Sequence, residues 1–486
     1  MEKYVAADLQ RRAIVAIDLG AESCRVSLLQ FINGSPTFRV VHRCANAPIE
    51  TDIGLVWDFD TIFANVLEGL RRCADLAPEG IASIGVDGWA VDYVRLDNNG
   101  DAIGKPFCYR DERTVASRVN LQTRISPERL YELTGAQDLR INTLYQLYAD
   151  NLNKVTPEFP WVTLPEYLMY LLGGQRVCEF TNATHTQMVS VQRRDWCPEV
   201  FEAAGHRLAV APPIVRPGTD IGQLSGPISE LPAFQNTRII APACHDTASA
   251  IAGIPAIGDD WAFISSGTWS LVGATMSHSY VGEEARRENF TNQGGVDGTI
   301  YLLKNVNGMW MLRQCLDQWK LEGMEWQLPE LIDACEELQI PSNLLDVDDP
   351  ALMLPGDIPA RINAQLQAHG HPSLPKGSLH APLYASLIFH SLAARYAQVL
   401  NRLMTITGKQ FKRLFIVGGG SRNVYLNRLV EKETGLEVIP ASAESSTIGN
   451  FSIQLAALEQ SSKATGVPLK LVAHWAVVLN NLPAAG

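Results

Sequence analysis

The chain has 486 residues, 46% apolar and 19% charged, with scattered Gly and Pro, a composition of folded globular proteins with two or three domains rather than of fibrous or disordered ones. The formal charge of −12 argues against a general nucleic-acid or anionic-membrane binder, which needs excess Lys and Arg, yet it leaves room for an anion pocket built from backbone N–H groups. Nine Cys stand singly, without a C-x-x-C pair or zinc spacing, and no apolar run reaches the roughly 18 residues of a membrane span, so a cytoplasmic protein in a reducing compartment is expected.

Residues 1–12, "MEKYVAADLQRR", read as a ragged terminus. "AIVAIDLGAESCRVSLLQF" (13–31) follows, an apolar run, a small Gly-containing turn and a second apolar run, which is the pattern of a β-hairpin. Asp18 closes its first strand, Gly20 permits the turn, and Ala21, Glu22, Ser23, Cys24 and Arg25 offer successive backbone N–H groups suited to phosphate oxygens. A carboxylate beside phosphate needs a cation between them, so Asp18 points to Mg²⁺. A helical stretch is expected from about Asp60, followed by "RRCADLAPEG", then a buried strand pair in "IASIGVDGWAVDYVRL", a helix with a Ser cap and a Gly stop in "SPERLYELTG", and a mostly buried helix in "TLPEYLMYLLGGQ".

"PACHDTASAIAG" (242–253) sets Asp246 among small and apolar residues; on its own such an Asp is more readily a helix cap than a catalytic acid. "DWAFISSGTWSLVGATM" (260–276) repeats the hairpin pattern, with Ser265, Ser266, Gly267 and Thr268 allowing close backbone approach, and the repetition suggests two related halves. The acidic, Pro-rich "LLDVDDPALMLPGDIPARINAQLQAHGHPSLPKG" is expected to be a surface excursion with His369 and His371 solvated. "SLHAPLYASLIFHSLAARYAQVLNRLMTITG" is a long helix, and "FKRLFIVGGGSRNVYLNRLVEKETG" is strand, Gly418–Gly420 turn and helix, where a ligand can approach the main chain. Neither G-x-G-x-x-G nor a Walker A loop occurs, which disfavours dinucleotide and P-loop readings. The fold class is α/β in both halves.

The ordered set "AIDLGAESCR", "IGVDGWAVDYV", "YRDERT", "NTLYQL", "EFTNATHTQ", "ACHDTASA", "SSGTWSLVG", "LLKNVNGMWML", "IVGGGSRN" and "STIGNFSIQL" resembles the FGGY family of carbohydrate kinases from about residue 13 to 460. The resemblance implies two actin-like, ribonuclease H-like ATPase domains, 1–252 and 253–486, with ATP and sugar in a cleft between them. It implies ATP and Mg²⁺ as cofactors, a small-molecule sugar as substrate, no nucleic-acid or membrane partner, and a monomer or homodimer.

By the same resemblance Asp246 is the base that deprotonates the hydroxyl attacking the γ-phosphoryl group. Ala90, His245 and Thr247 surround the sugar, and Asn305 lines the site. Ala21 to Arg25, Ser266, Gly267, Thr268, Arg313 and Gly418, Gly419 and Gly420 face the nucleotide, with Asp18 on Mg²⁺ through water. A helix start would keep the Asp246 pKa low, and Ala248, Ser249 and Ala250 are small enough to admit substrate. The implied reaction is ATP-dependent phosphorylation of a ketose at O1; a nonenzymatic sugar or nucleotide sensor is the alternative from another class.

Some positions depart from the expected pattern: Ala90 stands where Gly is usual, Gly88 where Thr is usual, Arg313 where Gln is usual, and Glu22 and Cys24 where small residues are usual. Asp92, Arg110 and Asp111 read equally as sugar contacts or structural ion pairs, and Trp89, Trp269 and Trp310 more readily as core than as sugar platforms. His185 reads as a satisfied polar side chain.

Overall fold

Seven consecutive buried residues form β1 (Ala13–Leu19), and after the turn Gly20–Glu22 the chain returns antiparallel as β2 (Ser23–Ile32), with Leu19 opposite Cys24. A Cβ on Gly20 would lie 2.6 Å from the Ser23 carbonyl oxygen, so this turn requires glycine. The computed structural model describes residues 11–153, 158–354, 356–460 and 466–481. The ragged terminus expected over 1–12 therefore lies outside the described residues, except that Arg12 is anchored on the carbonyls of Ile81 and Gln235 at 2.6 and 2.9 Å.

β3 (Ser35–Ala45) extends the hairpin, and α1 (Phe59–Leu76) buries Ile62, Val66, Leu70 and Cys73 in a core shared with Val26 and Leu28. β4 (Ile81–Gly88) runs parallel to β1 and is buried throughout, as expected of a strand covered on both faces. The helices α2 (Leu164–Leu171) and α3 (Phe180–His185) follow, and then β5 (Thr219–Gln223) and β6 (Arg238–Ala241) complete a sheet of order β5–β6–β4–β1–β2–β3. The strand pair expected over 81–96 is corrected: Tyr93–Arg95 pairs with Trp161–Thr163, because β4 already has β1 on one edge and β6 on the other. From β6 the chain enters α4 (Asp246–Ala252). The expected helix over 126–135 is present as Pro127–Thr134, its Ser126 hydroxyl accepting from Arg129 N–H and Gly135 ending it at φ 60°.

The chain divides into two compact units, Met1–Ile257 with Thr275–Leu302 and Glu444–Gly486, and Gly258–Ala274 with Leu303–Ala443. In the second, β7 (Trp261–Ser266) and β8 (Trp269–Met276) form the second expected hairpin, with Ser266 opposite Ser270. Downstream come α5 (Trp310–Leu321) and the long α6 (Ala381–Thr407), which buries Tyr384, Ile388, Leu392 and Tyr396 and ends at Gly408, φ 71°. β9 (Arg413–Val417) lies parallel to β7, α7 (Val424–Thr434) follows the glycine turn, and β10 (Glu437–Pro440) lies parallel to β9. The acidic, Pro-rich segment is not a mere excursion: it contains the helix Ile358–Ala368, capped by Asp357 on Ala360 N–H at 2.9 Å, and it buries Leu345, Val347, Leu352, Ile358 and Ile362. Its charges obscured an apolar spacing of i, i+4.

After β10 the chain returns to the first unit as α8 (Ser445–Glu459). Ser446, Asn450 and Gln454, spaced by four, present one polar stripe to the sheet. Gln454 Nε2 donates to the Val15 carbonyl at 2.9 Å, Ser83 Oγ donates to Gln454 Oε1 at 2.7 Å, and Asn450 Nδ2 donates to Asp87 Oδ2 at 2.6 Å. Residues 275–302 also belong to this unit.

Candidate active site

Parallel β1 and β4 end in register at Asp18 and Asp87, and Gly88 forms a parallel bridge with His245 in the segment entering α4. Three carboxyl groups, Asp18, Asp87 and Asp246, thus gather at the carboxyl ends of neighbouring parallel strands, the edge where α/β sheets bind ligands. Asp87 is fully buried; Asn450 holds one oxygen and the other has no partner among the described residues. Burial, with the charges of Asp18 and Asp246, pushes its carboxyl well above the ordinary range. Sequence reasoning missed Asp87, although a charged residue closing an apolar strand is the signal that singled out Asp18.

Asp18 receives the Ser446 hydroxyl at 2.9 Å and Arg25 at 3.3 Å, and Arg25 also pairs with Glu444 at 3.0 Å. Burial pushes its pKa up to about 6 against the pull of Arg25. Asp246, the first residue of α4, is half-buried and accepts on Oδ1 from the Thr247 amide and, at 3.2 Å, from the Thr247 hydroxyl; His245 Nε2 lies 3.3 Å from the same oxygen. Among the described residues no such contact falls on Oδ2. The low pKa expected from the helix start is corrected: burial raises it to about 6, outweighing the two Thr247 hydrogen bonds.

The small residues after Asp246 also have a different explanation. Ala248, Ser249 and Ala250 are buried, Ser249 Oγ donates to the Ser446 carbonyl at 3.1 Å, and a Cβ on Gly449 would lie 1.8 Å from the Ser249 carbonyl oxygen. They permit close packing of α4 on α8. The turn carrying Asp246 is fixed from behind by Glu179, whose buried carboxylate accepts from the Cys244 amide at 2.9 Å and from both donors of Thr181, while Thr181 Oγ1 accepts from the His245 amide at 3.3 Å. Burial pushes Glu179 up to about 8. Glu166 in turn accepts from Glu179 N–H, Thr163 and Asn182.

On the first hairpin, Ser23, Cys24 and Arg25 lie between β1 and β3, opposite Ala45, Cys44 and Arg43 on one side. The turn outside this ladder is Gly20–Glu22, shorter than the five-residue cradle expected, with Glu22 exposed and the Cys24 side chain in the core. Ala90 is buried in the loop after β4, beside Val91 at φ 73°, a strained conformation for a β-branched residue. The loop is held by Thr143 Oγ1 on the Val91 carbonyl at 2.7 Å and by Asp92, which accepts from both indole N–H groups of Trp57 and Trp89, at 2.7 and 3.0 Å. Asp92 and Asp111 are structural, the latter accepting from Leu55 N–H at 2.8 Å. Gly88 is required where it stands, since a Cβ there would lie 2.7 Å from the Leu19 carbonyl oxygen.

In the second unit the structure brings Ser266, Gly267 and Thr268 together with the glycine turn. Gly418 has φ 80°, and a Cβ on it or on Gly420 would lie 2.8 Å from the Ser266 carbonyl oxygen or 2.0 Å from its hydroxyl, while Gly419 is exposed. The strand Ile300–Asn307, carrying Asn305, leads to Met309 and Trp310, whose amides donate to the Gly267 and Thr268 carbonyls at 3.1 and 3.2 Å. Arg313 is exposed one turn into α5, 4.0 Å from Asp317.

Beyond the effect of burial, the charge of Asp246 raises the Asp18 pKa and those of Asp18 and Asp246 raise that of Asp87, a repulsion that a divalent cation relieves, so the residues fit Mg²⁺. Among the described residues no group of three or more His, Cys, Asp or Glu is arranged to hold a metal ion. No helix of the described residues is long and apolar enough to cross a membrane.

Models of the FGGY family of carbohydrate kinases match residues 13–253 with its N-terminal domain and 262–458 with its C-terminal domain. The chain belongs to this family and is an ATP- and Mg²⁺-dependent carbohydrate kinase. Among curated relatives, a rhamnulokinase of Bacteroides thetaiotaomicron is 35% identical over 93% of this chain and 92% of its own length, and one of Yersinia pestis is 36% identical over 97% and 94%. Solved structures share the fold at low identity. The xylulose kinase of Lactobacillus acidophilus has a TM-score of 0.76 at 16% identity, covering 96% of this chain and 95% of that one; the Plasmodium falciparum glycerol kinase with ADP has 0.72 at 13%, covering 91% and 89%.

Proposed function

We propose that the protein is a rhamnulokinase, transferring the γ-phosphoryl group of ATP to O1 of L-rhamnulose. The near full-length similarity to rhamnulokinases supports the acceptor, and one observation carries the chemistry: Asp246 keeps Oδ2 clear of other described contacts while Oδ1 is tied to Thr247.

In this reading MgATP supplies the transferable phosphoryl group. Asp246 Oδ2 accepts the proton of the attacking hydroxyl as the new O–P bond forms and the bond from the γ-phosphorus to the β,γ-bridging oxygen breaks, with ADP as the leaving group. Thr247 and His245 hold the carboxylate in orientation, and Glu179 holds the turn. Ala90, His245, Thr247 and Asn305 line the acceptor. Asp18, oriented by Arg25 and Ser446, would hold Mg²⁺ through water, and the ion would neutralise phosphate charge. The turn Gly20–Glu22 with the first residues of β2, Ser266–Thr268, Arg313 and Gly418–Gly420 face the nucleotide. Nine unpaired cysteines support a cytoplasmic location, and the enzyme acts as a monomer or homodimer.

Side-by-side kinetics on L-rhamnulose, fuculose, xylulose and ribulose test the acceptor. The expected kcat/KM is about tenfold or more higher for L-rhamnulose than for any other; a higher value for one of the others would reassign the substrate.

A further inference from the structure

Beside Asp246 lies a group of polar atoms whose hydrogen bonds the protein leaves unmade. The rings of His185 and His245 are 3.9 Å apart between centroids, and Gln293 Nε2 lies 3.5 Å from His185 Nδ1. Among the described residues His185 Nε2, His245 Nδ1 and Gln293 Oε1 have no partner, although His245 and Gln293 are only 6% and 2% exposed. His185 is thus not the satisfied side chain its sequence context suggests. Unpaired buried polar atoms are costly, and several of them on neighbouring side chains call for a polar ligand.

Three elements fix this arrangement. α3 carries His185 at its last residue and is capped by Glu179, which also holds the turn bearing His245. The strand Thr291–Gly294 is pinned to α3 by the Gly294 amide on Thr184 Oγ1 at 2.9 Å, and a Cβ on Gly294 would lie 2.6 Å from the Phe180 ring, which keeps Gln293 close to His185. Burial keeps both imidazoles neutral, His245 down to about 3, so each ring has one donor and one acceptor. Assigned from their partners, the His245 proton sits on Nε2 toward Asp246, leaving Nδ1 as acceptor. The Gln293 amide donates to His185 Nδ1, leaving Nε2–H as donor. The group therefore offers one donor and two acceptors.

We infer that His185 and Gln293, with His245, form a hydroxyl-reading subsite that recognises neighbouring hydroxyl groups of a polyhydroxy acceptor and so selects which sugar is presented to Asp246. The inference rests on the kinase reading above. One donor beside two acceptors suits vicinal hydroxyls, each of which donates once and accepts. A site built to pair with hydroxyls rejects an analogue that lacks one, because its own polar atoms are then left buried and unpaired. His185 and Gln293 act on binding and orientation, not on proton transfer.

The test compares the wild type, His185→Phe and Gln293→Leu on the ketose turned over best and on monodeoxy ketoses lacking one hydroxyl beyond the reacting carbon. For the wild type, kcat/KM is expected to fall roughly 100-fold or more for at least one deoxy analogue. In each variant the ketose KM rises about 10- to 100-fold, the KM for MgATP stays within about twofold, and the preference for the parent over that analogue collapses toward unity. Wild-type indifference to every deoxy analogue, or unchanged discrimination in a variant that melts normally, would overturn the subsite. Failure of the wild type to phosphorylate any ketose would instead remove the kinase reading. If His185→Phe does not fold, Gln293→Leu and the wild-type analogue series still decide.

Discussion

Asp246 owes its reactivity to a conflict between two environments. The Thr247 hydrogen bonds favour its charged form, burial opposes it, and burial wins, giving a pKa of about 6. A general base must be ionised, so kcat/KM should fall about tenfold per pH unit below pH 6; a profile flat to pH 5 would exclude a base of this pKa. Stability runs the other way. The folded state binds the proton more tightly than the unfolded chain, so the cost of the carboxylate is absent below pH 3.8, grows through pH 6 and is full above it. Asp246→Asn should therefore melt at or above the wild-type Tm at pH 7.5, with the gap closing toward pH 4, whereas a lower Tm at both pH values would make the carboxylate structural. Asp18 and Asp246 were legible in the sequence because each interrupts a small or apolar run. Their raised pKa values were not, since burial depends on what α8 brings to the sheet, more than 400 positions from β1. Asp87 escaped for a related reason: only the register with β1 sets it beside Asp18.

The elements that matter most are α4 and α8, whose backbones meet closely at Ser249, Gly253 and Gly449. A Cβ on Gly449 would stand 1.8 Å from the Ser249 carbonyl oxygen and one on Gly253 2.3 Å from that of Ser445. Gly449→Ala should cost about 1–3 kcal/mol in urea unfolding through overpacking; a loss under about 0.5 kcal/mol would show that the helices separate without penalty. Both hairpins were legible from apolar runs on either side of a small Gly-containing turn, and the 27-residue α6 from its periodicity. The partner of Tyr93–Arg95 was not, because strand pairing is decided by which edges are already occupied, and the helix Ile358–Ala368 was masked by the acidic, Pro-rich composition around it. The small residues of α4 were visible, but their reason was not: a small stripe looks alike whether a substrate or another helix backbone lies against it.

At the scale of the molecule, the family was readable because motifs separated by hundreds of residues kept one order, from the first hairpin to α8. Glu444–Gly486 returns to the unit that begins the chain, and its polar stripe of Ser446, Asn450 and Gln454 supports Asp18 and Asp87 there. A candidate base on α4 and its supporting carboxyls thus depend on both ends of the chain. The most direct measurement is Asp246→Asn with MgATP affinity by calorimetry and ketose phosphorylation by steady-state kinetics on the same preparation. The expected result is a MgATP Kd within about threefold of wild type and a loss of roughly 10²- to 10⁴-fold in kcat; turnover within about tenfold of wild type, with nucleotide binding intact, would contradict Asp246 as the base.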